Sequence, residues 1–226
     1  MLRKLLFPIL LGIAGCAVLI SLGLWQVDRL AWKETILAEI ATRIDAPATP
    51  LPAAPEEAID EYRSVTLSGR PTGQELHVLT SGTAAGTGYR VISQFQTDGG
   101  RMILLDQGLL PLDAKSAQPA TVLMDVTGTL LWPDDQNSST PDPDLARNIW
   151  FARNVATMSD ALGTEPVMVV ARATDPADPR LTPLPVTTSG IKNDHLEYAI
   201  TWFLLAVVWA AMTLFLIFRV TRPKEA

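Results

Sequence analysis

The fold class predicted from the sequence is an α+β membrane protein in which two transmembrane helices flank a mainly antiparallel β domain outside the cytoplasm. Three observations carry this. Leu5 to Leu24 and Ala199 to Phe218 each run twenty residues without a charge, enough at about 1.5 Å per residue to cross a hydrocarbon layer of roughly 30 Å. Basic residues sit just outside both runs, Arg3 and Lys4 before the first and Arg219, Arg222 and Lys224 after the second. The stretch between them breaks into short β-prone runs punctuated by turn residues.

Taken in order, residues 1–4 form a cytoplasmic N-terminus, 5–24 the first span, 25–198 the extracytoplasmic domain, 199–218 the second span and 219–226 a cytoplasmic tail. The positive-inside rule places both termini in the cytoplasm. Pro8 near the start of the first span is tolerable there. Ile13-Ala14-Gly15-Cys16 resembles the lipobox of a lipoprotein signal, yet the chain stays apolar through Leu24 where a polar tether would begin, so a retained anchor is expected. Cys16 is the only cysteine, which excludes an intrachain disulfide or a Cys-x-x-Cys site and leaves a small packing residue within the membrane. The N-terminus lacks a long Arg- and Ser-rich transit peptide. The expected location is therefore a bacterial inner membrane, with the central domain periplasmic.

Helical spacing of Leu30, Ile36, Leu37, Ile40 and Ile44 extends the first span as an amphipathic helix over Val27 to Ile44. The proline-rich run Ala46 to Pro55 ends it. Strands are expected at Tyr62 to Ser68, Glu75 to Ser81, Tyr89 to Thr97, Arg101 to Leu110, Thr121 to Leu131 and Val167 to Ala173. Asp98-Gly99-Gly100 suits a hairpin turn because glycine accepts positive φ. Pro133 to Pro143 reads as a loop, Asn154 to Leu162 as a short helix stopped by Gly163, and Thr174 to Gly190 as a Pro-rich linker. No internal repeat is present.

Between Trp25 and Tyr198 there are 23 Asp and Glu against 13 Lys and Arg. That acidic balance argues against a polyanionic partner, so no DNA or RNA binding is expected.

Two motifs lie at the membrane edge. In Leu24-Trp25-Gln26-Val27-Asp28-Arg29-Leu30-Ala31-Trp32-Lys33, helical geometry puts Trp25, Arg29 and Trp32 on one face at i, i+4 and i+7, with Lys33 four residues beyond Arg29. Interfacial tryptophans and snorkelling cations account for such a motif equally well when it is taken alone. In Asn193 to Phe203, Asp194 and Glu197 have the spacing of a capping pair, which makes His195 the first residue of the second span. His195, Tyr198 and Trp202 follow at i, i+3 and i+7. By itself, this histidine also suits an ordinary interfacial position. The other histidine, His77, lies between Leu76 and Val78 with no Cys, His or carboxylate at metal-ligand spacing, and is expected to be an exposed strand residue.

The topology brings the motifs together. With both termini cytoplasmic, the end of the first span and the start of the second reach the same face of the membrane. One imidazole, three indoles, one phenol and two cations then share the outer lipid boundary. That set fits a flat, lipophilic, carboxylate-bearing ligand with an electrophilic metal: a haem whose iron is bound by His195, whose ring is walled by Trp25, Trp32, Tyr198 and Trp202, and whose propionates meet Arg29 and Lys33.

Leu22-Gly23-Leu24-Trp25-Gln26-x-x-Arg29-x-x-Trp32-Lys33 and Asn193-Asp194-His195-Leu196-x-Tyr198-Ala199-Ile200-Thr201-Trp202-Phe203 resemble the signature ends of the Surfeit locus protein one family. Weaker agreement continues through Gly69, Gly88-Tyr89, Asp98-Gly99, Gly108, Pro111 and Gly128. The resemblance implies a two-span assembly protein of cytochrome c oxidase that binds haem a, through the histidine matching His195, and helps place it in subunit I. It makes haem A synthase a further candidate partner, beside membrane lipid. Two departures stand out. Asp194 replaces the second of two asparagines usual before the histidine, and Asp106-Gln107-Gly108-Leu109-Leu110-Pro111 lacks the arginine and tryptophan of the family's corresponding run.

No nucleophile with a base, phosphate loop or carboxylate pair is legible, so an accessory factor rather than an enzyme is expected. The alternative is a haem-independent scaffold whose acidic β domain grips an oxidase subunit while the aromatic residues only anchor the helices.

Overall fold

The computed structural model describes residues 2–83 and 85–222, without the side chains of residues 2–4. Lys224 and the side chains of Arg3 and Lys4, invoked above for orientation, lie outside the described residues. The chain divides into two compact units, Met1–Glu39 with Thr188–Ala226, and Ile40–Thr187.

The first unit is a helix pair. Helix α1 runs unbroken over Leu2–Asp45, Pro8 included, so the amphipathic continuation after the first apolar run is helical as expected. The C-terminal helix of this pair spans His195–Thr221. Both helices are long and apolar enough to cross a membrane. The C-terminal helix stops at Arg222, which adopts extended backbone, as the residue before a proline must to avoid its ring. The expected cap at its start is absent. Asp194 has φ −91° and ψ 7° and makes no side-chain capping bond; a capping side chain needs extended backbone to fold back over the free amides. The Asp194 carboxylate lies 3.9 Å from the Lys192 ammonium instead.

The helices pack antiparallel along a 4-3 spaced seam, a pattern that keeps one stripe of each helix facing its partner. Gly12, Gly23 and Gln26 of α1 and Ala199 and Ala206 opposite are buried. Small residues are what let two apolar helices approach closely when no hydrophobic driving force separates lipid from protein. A Cβ on Gly15 would lie 2.2 Å from the Trp209 indole nitrogen, and one on Gly23 would lie 2.6 Å from the Phe203 ring. Cys16 fills the same seam, its Sγ 3.9 Å from the Ala206 carbonyl, a packing role as expected.

The second unit contains β1 (Thr49–Pro50), a short helix α2 (Glu57–Asp60), β2 (Ser64–Thr83), β3 (Gly86–Thr97), β4 (Met102–Pro111), β5 (Met124–Leu130), α3 (Val155–Leu162) and β6 (Met168–Asp175); the C-terminal helix of the chain is α4. Strand order is β1-β2-β3-β4-β6-β5, and β5 also pairs with β2, so five strands close on themselves. Pairing is antiparallel except β1 with β2 and β4 with β6. Closure protects the strand edges it joins, and the segment around Trp150 covers the edge of β2 near Val78.

The two strands expected at Tyr62 to Ser68 and Glu75 to Ser81 are one strand, β2. It changes register between Pro71 and Glu75, where Gly73 has φ +94°. Before the bulge, Ser64 to Gly69 pair with β5 and Gly69 to Pro71 with β3, whereas after it β2 continues along β3. Gly99 and Gly100 turn β3 into β4, with Gly100 at φ +81°. Asn154, read as the first residue of this helix, stands just outside it and caps it by accepting from the Thr157 amide, while Gly163 closes it in the left-handed region as expected.

The run Met102 to Leu105 is apolar without alternation because both faces of β4 are covered. Ile103 and Leu105 join Val65, Phe95, Met124, Val126, Leu130 and Val169 in one cluster. Leu104 points the other way, into a second cluster with Leu76, Ile92, Trp150, Met158 and Met168. Successive side chains on a strand face opposite sides, so β4 serves a core inside the closed sheet and another beneath α3.

His77 is not exposed; it retains only 5% of its surface. The reason is non-local. The chain around Trp150 docks against β2, its amide donating to the His77 carbonyl at 2.8 Å and its carbonyl accepting from the Leu79 amide. The His77 imidazole has a partner, too: Nε2 lies 2.9 Å from the Glu75 carboxylate. Arg180 ties Glu75 to Asp178 in the same buried network.

Candidate functional site

At the start of α4, His195 is half-buried in the helix seam and points across it. Its Nδ1 lies 2.8 Å from Oε1 of Gln26, a residue 169 positions earlier in the chain. Gln26 is buried. An amide oxygen only accepts, so with Oε1 facing the ring this contact is a hydrogen bond in the tautomer that carries its proton on Nδ1. Nε2 then holds the lone pair, the form of imidazole that binds a metal.

The rest of the predicted set divides by face. Trp25 and Trp32 are exposed on α1, and the Arg29 guanidinium stacks over the Trp32 ring at 3.6 Å. Their shared helical face is therefore a cation–π unit directed away from the seam, where such a contact is favourable by about 0.5–1 kcal/mol or more as water is withdrawn. Lys33 is half-buried. On α4, Tyr198 is exposed and Trp202 half-buried. The structure thus joins His195 to the first motif through Gln26 and joins Arg29 to Trp32. It gives His195 no hydrogen bond or ring stacking with Trp25, Trp32 or Tyr198 among the described residues.

Gln26 is the residue that reading for charge and aromaticity passed over. The signal was present: Gly12, Cys16, Leu19, Gly23 and Gln26 recur at alternating four and three residues, which puts the amide, rather than its neighbour Trp25, on the stripe that faces α4. A polar side chain on an otherwise apolar seam needs a partner, since an unpaired buried amide is costly.

Elsewhere, the divergent run is structural. Asp106 is fully buried, pairing with Arg90 and lying 3.6 Å from Arg153. Gln107 is the extra residue of a bulge and donates to the Ser93 hydroxyl at 2.7 Å. Gly108 has φ +110° and a Cβ there would meet the Thr182 carbonyl at 2.2 Å. No group of three or more His, Cys, Asp or Glu that could hold a metal ion is found among the described residues.

The chain thus carries a closed β domain together with two helices long and apolar enough to cross a membrane, joined to each other through Gln26 and His195. A model of the SURF1 family matches residues 13–207. Surfeit locus protein 1 of Rattus norvegicus is 30% identical over 211 residues, covering 83% of this chain and 68% of the rat protein. The Homo sapiens protein of the same name is 29% identical over 210 residues, covering 81% and 68%. A SURF1-like protein of Rickettsia conorii is 28% identical over 212 residues, covering 89% and 87%. The chain belongs to the SURF1 family, whose members are cytochrome oxidase assembly factors and not enzymes.

Proposed function

We propose that this protein carries haem a at the outer face of a bacterial inner membrane and assists its insertion into subunit I of a haem-copper oxidase. The observation that supports this is the hydrogen bond between Gln26 and His195, because it brings the two membrane-edge motifs to one point. In this reading α1 and α4 both span the bilayer, both termini are cytoplasmic and the β domain is periplasmic.

The cargo is flat and lipophilic, with two carboxylates and an electrophilic iron. His195 offers iron the Nε2 lone pair. Trp25, Trp32, Tyr198 and Trp202 provide aromatic surface at the lipid boundary, where amphipathic rings are stable. Arg29 and Lys33 supply cations for the propionates; guanidinium pairs with carboxylate in a charge-assisted bond. A single protein ligand suits a carrier, because the cargo has to leave. Subunit I and haem A synthase are the partners this sequence of events requires.

The test is an absorption spectrum of the detergent-purified protein from a host that makes haem A. A Soret band is expected, and His195→Ala abolishes it. An unchanged spectrum in that variant overturns the ligand assignment. Co-purification of subunit I with wild-type protein free of pigment establishes the scaffold reading instead.

A further inference from the structure

We propose that Gln26 is the positioning residue for His195: its side-chain carbonyl holds the imidazole in the Nδ1–H tautomer, presents Nε2 to the ligand, and, being neutral, keeps that nitrogen a weak enough donor for the ligand to be released. The proposal rests on the reading of His195 as a haem ligand and deepens it.

Three observations carry it. The Nδ1 to Oε1 distance of 2.8 Å is that of a full hydrogen bond. Gln26 is 8% exposed, so water does not compete for its carbonyl. The contact bridges two helices, so the ring orientation is set by the packing of Gly23 against Phe203 and of Ala199 into the seam, rather than by local backbone.

The chemistry follows from what stands behind a metal-bound imidazole. The group that accepts the second ring proton fixes ring orientation and tunes basicity, and losing it commonly costs about 10–100-fold in metal affinity. A carboxylate in that position draws the proton toward itself, makes the ring more imidazolate-like and stabilises ferric iron. An amide accepts the same proton without adding charge. A resident cofactor gains from the first arrangement. A cargo that has to move on is served by the second.

The decisive measurement uses the full-length chain in detergent with ¹⁵N-labelled histidine. With only two histidines in the chain, His77→Gln identifies the His195 signals. In the haem-free wild type, Nδ1 is expected in the protonated range and Nε2 in the unprotonated range, and Gln26→Leu is expected to mix or reverse the tautomers. A wild-type His195 protonated at Nε2, or a pattern unmoved by Gln26→Leu, overturns the proposal. In haem-loaded protein, Gln26→Leu is expected to weaken haem retention about 10–100-fold. Gln26→Glu, which keeps an acceptor in place, is expected to restore retention, lower the midpoint potential and slow transfer to a haem-accepting apoprotein. A midpoint potential that does not fall in Gln26→Glu also overturns it. The tautomer is read without haem, so a wrong tautomer defeats the Gln26 assignment alone. An absent Soret band with the expected tautomer defeats the haem reading alone.

Discussion

The indole of Trp209 closes over Gly15 of the opposite helix and donates from Nε1 to the Gly12 carbonyl at 3.2 Å. This contact holds the helix pair near the middle of α4, and the hydrogen bond between Gln26 and His195 ties the end at which α4 begins. The position of the candidate ligand therefore depends on seam packing along the whole pair.

Enlarging Gly15 tests that dependence. Gly15→Leu forces the indole out of its notch and is expected to weaken pairing by about 1–3 kcal/mol, the usual cost of overpacking. Cys16 faces Ala206, so Ala206→Cys is expected to form an intramolecular disulfide on oxidation. Gel mobility reads its yield, which falls when Gly15→Leu is added. An equal yield in the two backgrounds contradicts the packing account.

The topology is checked with an impermeant thiol reagent. Ser138 lies in an exposed loop of the β unit. In a Cys16→Ser background, Ser138→Cys is expected to react with a membrane-impermeant maleimide in intact spheroplasts. Labelling only after lysis places the β domain in the cytoplasm and removes the shared outer face on which the carrier reading stands.

The buried network around Glu75 makes stability acid-sensitive. Burial alone pushes the Glu75 carboxyl up, but hydrogen bonds from His77 and Arg180 outweigh it and hold it below its ordinary value. Asp60 is also held low, first by the Glu56 amide and then by Arg63. A carboxyl depressed in the folded state contributes stability fully above its unfolded pKa, about 4 for these groups, and loses it as pH falls through the lower folded value. The denaturant midpoint of the β unit is expected to decline below about pH 4 and to decline less steeply in Glu75→Gln. Arg180→Ala leaves Glu75 and Asp178 buried without their cation and is expected to cost about 3–5 kcal/mol at neutral pH.

Gly108 is a position only glycine fills without strain. Its φ of +110° and the Thr182 carbonyl 2.2 Å from a would-be Cβ leave no room for alanine. Gly108→Ala is expected to lower stability by about 1–3 kcal/mol and to break the backbone pair between Leu109 and Thr182. Chemical denaturation measures the first and amide exchange at Leu109 and Thr182 the second.

What the chain order determined by itself was whatever depends on local periodicity: two uncharged runs of spanning length, Asn154 and Gly163 as the ends of α3, Gly99 and Gly100 as a turn, and the mainly antiparallel strands. Length, capping chemistry and backbone freedom act over a few residues, so they are legible in order. Tertiary structure alone decided that Pro71 to Glu75 is a bulge within one strand, that Trp150 buries His77, and that Asp194 leaves its helix uncapped. It also decided that His195 turns to Gln26 within the seam. Asp194 apart, whose neighbour Lys192 is two residues away, each of these depends on a partner distant in the chain, and a histidine shows nothing by itself of whether water, a carboxylate or a buried amide will meet its ring.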